Sequence, residues 1–355
     1  MANSKESKNV PYEWIKKWEA IPGIAYDTYG EEEMPILKEP ILPTMDKKVV
    51  IEAAITGWQP SKWWRERGVS DLPPGSRGGD TCIQEQVDAI VECINAGASC
   101  IHMHARHPDD GLVRWHDTEL TASINDRAFE QIDFITTSHS FTWDFKKSIV
   151  ADYISGTREY LERGKGNRYV QAALIATLPC YHEEHEIQTD ETIVKGVKFF
   201  EENDIKPLFS VEPFYFSQLK REVFDKEITK SKPHFIALQL GKHRDDMQFA
   251  DPWSYMNVIT SMGLVRSVMP EEDIFLGLHP GGRNWLPASV IGLLYGAQYV
   301  RVGIEDLFFL WPHKNDIPKT VSQTVKMIVD QCKILGREVA TVDEARKILG
   351  IKRTS

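Results

Sequence analysis

Two histidines one residue apart, His102 and His104, end the short run Ser99-Cys100-Ile101-His102-Met103-His104. Turn residues flank this run, so it reads as a strand. Side chains two apart on a strand share a face, which projects Cys100, His102 and His104 together. Paired neutral imidazoles suit a divalent transition metal, with Zn²⁺ the first choice. Two histidines hydrogen-bonded in a polar rim are the competing reading. A second cluster is Arg301-Val302-Gly303-Ile304-Glu305-Asp306. As a strand it sets Arg301, Gly303 and Glu305 on one face, with Asp306 opening the next loop. If both strands end at the same mouth, Glu305 supplies a third ligand and leaves one position open, as in catalytic zinc sites. Asp306 beside Arg301 is then a carboxylate held by a guanidinium and suited to acid–base work. A structural salt bridge is the alternative there.

These residues need a frame that brings distant segments together. Apolar runs expected to be strands cover 49–56, 99–104, 132–137, 169–177, 208–212, 235–240, 274–278 and 299–304. Helical stretches intervene, among them 82–96, 191–202, 253–268 and 287–295. In the helix over 82–96, Ile83, Val87, Ile90, Val91 and Ile94 share a face, Thr81 and Gln84 form a candidate capping box, and Gly97 stands where a left-handed C-terminal residue belongs. Strict alternation implies parallel strands with right-handed crossovers, and eight such units predict an α/β fold of the (β/α)8 TIM barrel type. An open doubly wound sheet is the competitor. Against it, no Gly-x-Gly-x-x-Gly turn opens the first helix, and a long segment from Trp58 to Asp80 intervenes, as a loop over a barrel mouth would. Residues 1–46, punctuated by five prolines and lacking periodicity, read as an irregular N-terminal extension, and 47–355 as the catalytic barrel.

The balance of 42 Lys+Arg against 52 Asp+Glu over 355 residues gives a net charge of −10, which disfavours a nucleic-acid partner. No apolar run approaches the roughly 18–20 residues of a membrane span, and the polar N-terminus does not resemble a secretory leader. A cytoplasmic enzyme is the expectation. Cys82, Cys93, Cys100, Cys180 and Cys332 follow no paired spacing and read as buried thiols in a reducing compartment. Glu52, inside an apolar strand, either turns inward to brace Arg301 or a ligand, or pairs with a helix. His182-Glu183-Glu184-His185 has the wrong spacing for a metalloprotease helix and reads as a solvated loop. Trp58, Trp63 and Trp64 either line an apolar pocket or pack the extension.

The segments Ala54-Ile55-Thr56-Gly57, Ala96-Gly97-Ala98, His102-Met103-His104-Ala105-Arg106, Arg301 to Asp306 and Val339 to Gly350 together resemble the β-keto acid cleavage enzymes, the family of 3-keto-5-aminohexanoate cleavage enzyme. The likeness runs from about Lys48 to Ile351. It implies a zinc-dependent barrel, a homotetramer, and condensation of a β-keto acid with acetyl-CoA to give acetoacetate and a new acyl-CoA. By the same resemblance His102, His104 and Glu305 hold the metal, and Asp306 is the acid–base carboxylate with Arg301 as its partner; the step expected of that pair is proton removal from the acetyl-CoA methyl. Thr137 and Thr177 are the substrate-binding hydroxyls. Arg283, in the loop His279-Pro280-Gly281-Gly282-Arg283, either meets a CoA phosphate together with the glycine amides or closes a plain turn.

Departures from the family pattern bear on the substrate. Gln59 stands where a glutamate receives the substrate ammonium, and a neutral amide cannot replace that ion pair. Leu208 and Ser210 follow Lys206-Pro207 where acidic residues are usual, and Thr137-Ser138-His139-Ser140 lacks the family's paired glycines. The substrate is therefore expected to lack a cationic amine. Two rival readings are a metal-dependent hydrolase of amidohydrolase type and a non-catalytic ligand-binding barrel. The hydrolase places His-x-His on its first strand and needs histidines ending strands five and six, which this sequence does not offer.

Overall fold

The computed structural model describes residues 44–57, 66, 73–114, 117–138, 152–177, 189–241 and 254–352. Eight parallel strands close into a barrel: β1 (Val50–Ala54), β2 (Cys100–His102), β3 (Ile135–Ser138), β4 (Ala172–Thr177), β5 (Lys206–Val211), β6 (His234–Leu240), β7 (Ile274–Pro280) and β8 (Tyr299–Val302). Each strand pairs with its neighbour in sequence, and β8 returns to β1 with Glu52 opposite Arg301. The described helices are α1 (Cys82–Asn95), α2 (Thr118–Phe129), α3 (Ser155–Glu162), α4 (Asp190–Glu202), α5 (Phe216–Leu219), α6 (Ser254–Val268), α7 (Trp285–Leu294), α8 (Val321–Ile334) and α9 (Val342–Leu349). The expected strands are all present; β3 and β4 start three residues later than their apolar runs, and β1, β2 and β8 end before theirs. Those runs continue past the last ladder bond because the stretch after each strand is still buried.

Alternation along three strands decides what the barrel interior holds. Ile51, Ala53, Ile101, Val300 and Val302 face outward and pack with Val87, Ile90, Val325 and Ile328 of α1 and α8. At about 1.5–3 kcal/mol for each large aliphatic side chain removed from water, this layer fixes the strand faces. The intervening residues Glu52, Cys100, His102 and Arg301 must then turn inward, and all four are buried. Hydrophobic burial on the outside thus forces charged groups into the interior, where they need one another.

Helix ends follow local chemistry, with one correction. Thr81 does cap α1 by position, but its hydroxyl donates to Glu85 Oε1 at 2.7 Å and makes no capping bond, while Gln84 turns to Asp88. Glu85 lies one helical turn from Thr81 and also accepts from the Gly75 amide at 2.9 Å, so it draws the hydroxyl away from the helix amides. Gly97 has φ +115°, as a left-handed exit requires. At the other end of the chain α9 carries a complete capping box, Thr341 with Glu344, and stops at left-handed Gly350. Its buried Arg346 reaches Asp133 and the Phe134 carbonyl below β3, which ties the C-terminus under the barrel. Among the described residues no helix is long and apolar enough to cross a membrane.

Candidate metal and acid–base site

His102 is the last residue of β2, and His104 lies just past it at the C-terminal mouth. Two backbone devices fix them. The Thr137 carbonyl of β3 lies 2.7 Å from His102 Nδ1, so that nitrogen must carry the proton and Nε2 presents its lone pair to the interior. The Thr56 hydroxyl, beyond β1, donates to the His104 carbonyl at 2.5 Å and accepts from the His104 amide at 3.0 Å. His104 therefore keeps its strand-like direction after the ladder has ended.

Glu305 arrives by a sharp turn. Gly303 follows β8 with φ +141°, and a Cβ there would lie 2.1 Å from the Ala54 carbonyl oxygen. Only glycine lets the chain pass so close to β1. The turn, closed by the Asp306 amide donating to the Gly303 carbonyl at 3.0 Å, sends both acidic side chains into the mouth. Gly303→Ala is expected to cost about 2–5 kcal/mol, from backbone strain plus overpacking against a main chain that cannot yield. Urea denaturation of the purified variant measures it, and a change below 1 kcal/mol would show that the turn tolerates a side chain.

The imidazole Nε2 atoms lie 3.2 Å apart, His102 Nε2 is 3.3 Å from Glu305 Oε2, and His104 Nε2 is 3.4 Å from Glu305 Oε1. The three ligand atoms fall within 4.8 Å of one another, and all three residues are buried. Electron pairs that converge in this way repel unless a cation or proton lies among them, so the donor set fits a divalent metal. Two imidazoles and one carboxylate match a catalytic zinc site with an open position.

Arg301 binds the acidic groups together. Its Nη2 is 2.7 Å from Glu305 Oε1, its Nε donates to Asp306 Oδ2 at 2.7 Å, and its Nη1 lies 3.4 Å from Glu52 Oε1. Burial pulls the guanidinium toward its neutral form, but Asp306, Glu305 and Glu52 outweigh it and hold Arg301 charged. Burial likewise pushes Glu52 upward, against Arg301, which draws it down. Glu52 thus faces inward and braces Arg301, the first of the two readings open from sequence. The carboxylates facing Arg301 outnumber its single guanidinium, so the cluster is anionic and suited to a cation.

The remaining residues expected at the site have mixed placements. Thr137 is buried, but its hydroxyl donates to the Ile101 carbonyl at 3.0 Å, so its visible contribution is to brace β2 and orient His102. Thr177 closes β4 at the same end of the barrel, and its side chain lies outside the described residues. So do Gln59, Trp58, Trp63, Trp64, Cys180 and the segment His182 to His185. Arg283 stacks 3.9 Å over Phe309 and donates to the Lys314 carbonyl and Asn315 Oδ1, each at 2.8 Å. The amides of Gly281 and Gly282, which one of the two readings of this loop offered to a phosphate, donate to the Leu240 and Asp306 carbonyls. They stitch the loop to its neighbouring strands. Cys82, Cys93, Cys100 and Cys332 are buried free thiols, as expected, and burial raises all four.

Sequence reasoning missed three buried polar residues. His279 of β7 sets Nε2 3.2 Å from Asp306 Oδ1 and Nδ1 3.3 Å from Ser210 Oγ of β5. Gln239 of β6 donates to the same Ser210 oxygen at 2.6 Å. Polar residues inside apolar strands were the available signal, but nothing in their spacing links them.

Comparison with known proteins places this geometry. A 3-keto-5-aminohexanoate cleavage enzyme of Fusobacterium nucleatum is 28% identical over 324 residues, covering 87% of this chain and all of the relative (100%). A 3,5-dioxohexanoate:acetyl-CoA acetone transferase of Paraburkholderia graminis is 23% identical over 294 residues, covering 76% of this chain and 88% of the relative. Among solved structures, ObcA in its apo form matches with a TM-score of 0.56 at 13% identity, over 79% of this chain and 66% of that one, which supports the fold alone. The pattern of the beta-keto acid cleavage enzymes matches residues 48–351, spanning every strand of the barrel and each residue of the His102–His104–Glu305–Asp306 cluster, and the chain belongs to that family.

Proposed function

We propose that this protein is a zinc-dependent β-keto acid cleavage enzyme that converts a β-keto acid and acetyl-CoA into acetoacetate and a new acyl-CoA. The observation that carries the reading is one buried cluster in which His102, His104 and Glu305 converge while Asp306 is held beside them by Arg301. His102, His104 and Glu305 would hold the metal, which when bound would polarise the keto-acid oxygens as a Lewis acid.

Atom balance corrects which proton Asp306 removes. Acetoacetate requires a new bond between C2 of the keto acid and the acetyl carbonyl carbon, so the proton leaves C2 and not the acetyl methyl. Asp306 takes that proton, and the C2 electron pair attacks the thioester as the C–S bond breaks and CoA thiolate departs. The thiolate then adds to the substrate's own keto carbon. The bond from that carbon to C2 breaks, and C2 recovers the proton from Asp306. Arg301 holds the carboxylate ionised for the first transfer and stays charged throughout.

A neutral Gln59 supports a substrate without a cationic amine. A panel of β-keto acids with acetyl-CoA, read by acetoacetate release, should favour amine-free members over 3-keto-5-aminohexanoate by about 10-fold or more, the cost of an unpaired ammonium. Elemental analysis should find about one zinc per chain. No acetoacetate from any member would sink the reaction. The same reading carries one catalytic barrel from residue 47 onward, preceded by an extension, in a cytoplasmic homotetramer, which light scattering tests.

A further inference from the structure

Asp306 is gripped from two sides. Arg301 donates to Oδ2 from Nε at 2.7 Å and to Oδ1 from Nη2 at 3.3 Å, and His279 of the neighbouring strand β7 approaches Oδ1 at 3.2 Å. The guanidinium fork fixes the carboxylate loosely on the Oδ1 side, where its bond is the longer of the two. The contact from β7 tightens that side, provided His279 presents a proton there.

The polarity of the contact follows from its two ends. A carboxylate held by Arg301 can only accept, so His279 Nε2 carries the proton, and the far end is arranged to match. Gln239 Nε2 donates to Ser210 Oγ at 2.6 Å, which engages the serine oxygen as an acceptor. A hydroxyl has a single proton, and the imidazole Nδ1 lies 3.3 Å away to receive it. With Nδ1 accepting, a neutral His279 carries its proton on Nε2 and donates to Asp306. Gln239, Ser210 and His279 are all buried. Charge-assisted donors to carboxylates are about twice as strong as neutral ones, so the last link is the strongest.

We propose that Gln239, Ser210 and His279 form a directed hydrogen-bond chain that orients Asp306 for proton transfer, with His279 as its positioning residue. The inference rests on the reaction proposed above. The Asp–His–Ser order does not make Ser210 a nucleophile: its oxygen is fully buried and already accepts the Gln239 amide.

Two measurements test the chain. In ¹⁵N-histidine NMR of the full-length protein, the resonance assigned with His279→Gln should show the proton on Nε2. The Nδ1–H tautomer would overturn the proposal whether or not the enzyme turns over. Kinetics come second, with kcat expressed per bound metal. His279→Leu should lower kcat about 10- to 100-fold, the scale of a misplaced catalytic group, with KM for either substrate changed less than about threefold. His279→Gln, which keeps a donor, should recover most of the loss. In an Asp306→Asn background His279→Leu should cost nothing further, because both act at one atom. A full additional loss there, or unchanged kcat in the single variant, would make His279 a packing residue only. A parent inactive toward every β-keto acid, with the tautomer as assigned, would count against the reaction and not against the chain.

Discussion

Asp306→Asn is expected to retain its metal and lose at least about 100-fold in turnover, or about 2.7 kcal/mol of transition-state stabilisation. The substitution preserves shape and leaves His102, His104 and Glu305 untouched. The loop should hold, because the Gly282 amide bonds the Asp306 main-chain carbonyl at 2.8 Å and not its side chain. What disappears is the ability to take a proton from carbon and return it. The carboxamide has no basic oxygen, and its NH₂ faces either Arg301 Nε or the His279 side, where a donor already stands. Reorientation relieves one clash by creating the other. Turnover within threefold of the parent at full metal content would remove Asp306 from proton transfer and leave it a structural partner of Arg301.

The parts of this site legible in sequence were those written within one strand. His102 and His104 share a face by parity, and Arg301 through Asp306 sit within one short segment, so their types and spacing marked them as a candidate metal and acid–base cluster before any fold was known. The barrel was legible for a related reason: outward residues such as Ile51, Val300 and Val302 carry the alternation that burial against helices imposes. Other features depend on register between strands. Glu52 lies opposite Arg301 only because β8 closes onto β1, and those residues are 249 apart in sequence. Ser210 and His279 meet across 69 residues, and Ser210 and Gln239 across 29, with no periodicity to link them. The capping box at Thr81 failed through local competition, since a glutamate one turn on captured the hydroxyl. Gly303 is the instructive middle case. Its place between Arg301 and Glu305 was visible, but the need for it appears only once Ala54 of β1 lies against it.

His104→Ala should abolish metal binding at stoichiometric concentrations and with it acetoacetate formation. Changes to residues that merely orient a metal ligand commonly weaken binding about 10- to 100-fold, and loss of a ligand should exceed that range. The loss is electrostatic as well as coordinative. Arg301 Nη2 already lies 2.7 Å from Glu305 Oε1, so a bound ion would have to share the glutamate with a guanidinium. With two imidazoles an ion would outcompete the guanidinium for that carboxylate. With His102 alone the balance turns, and Glu305 falls back onto Arg301. Thr56→Val offers an intermediate case, because it removes both hydrogen bonds that hold the His104 backbone while keeping the imidazole. Its metal affinity should drop about 10-fold, between parent and His104→Ala. Competition with a chromogenic chelator measures all three proteins, and circular dichroism checks that each is folded. Full metal retention by folded His104→Ala would show that the ion is held by other groups and would dissolve the ligand set.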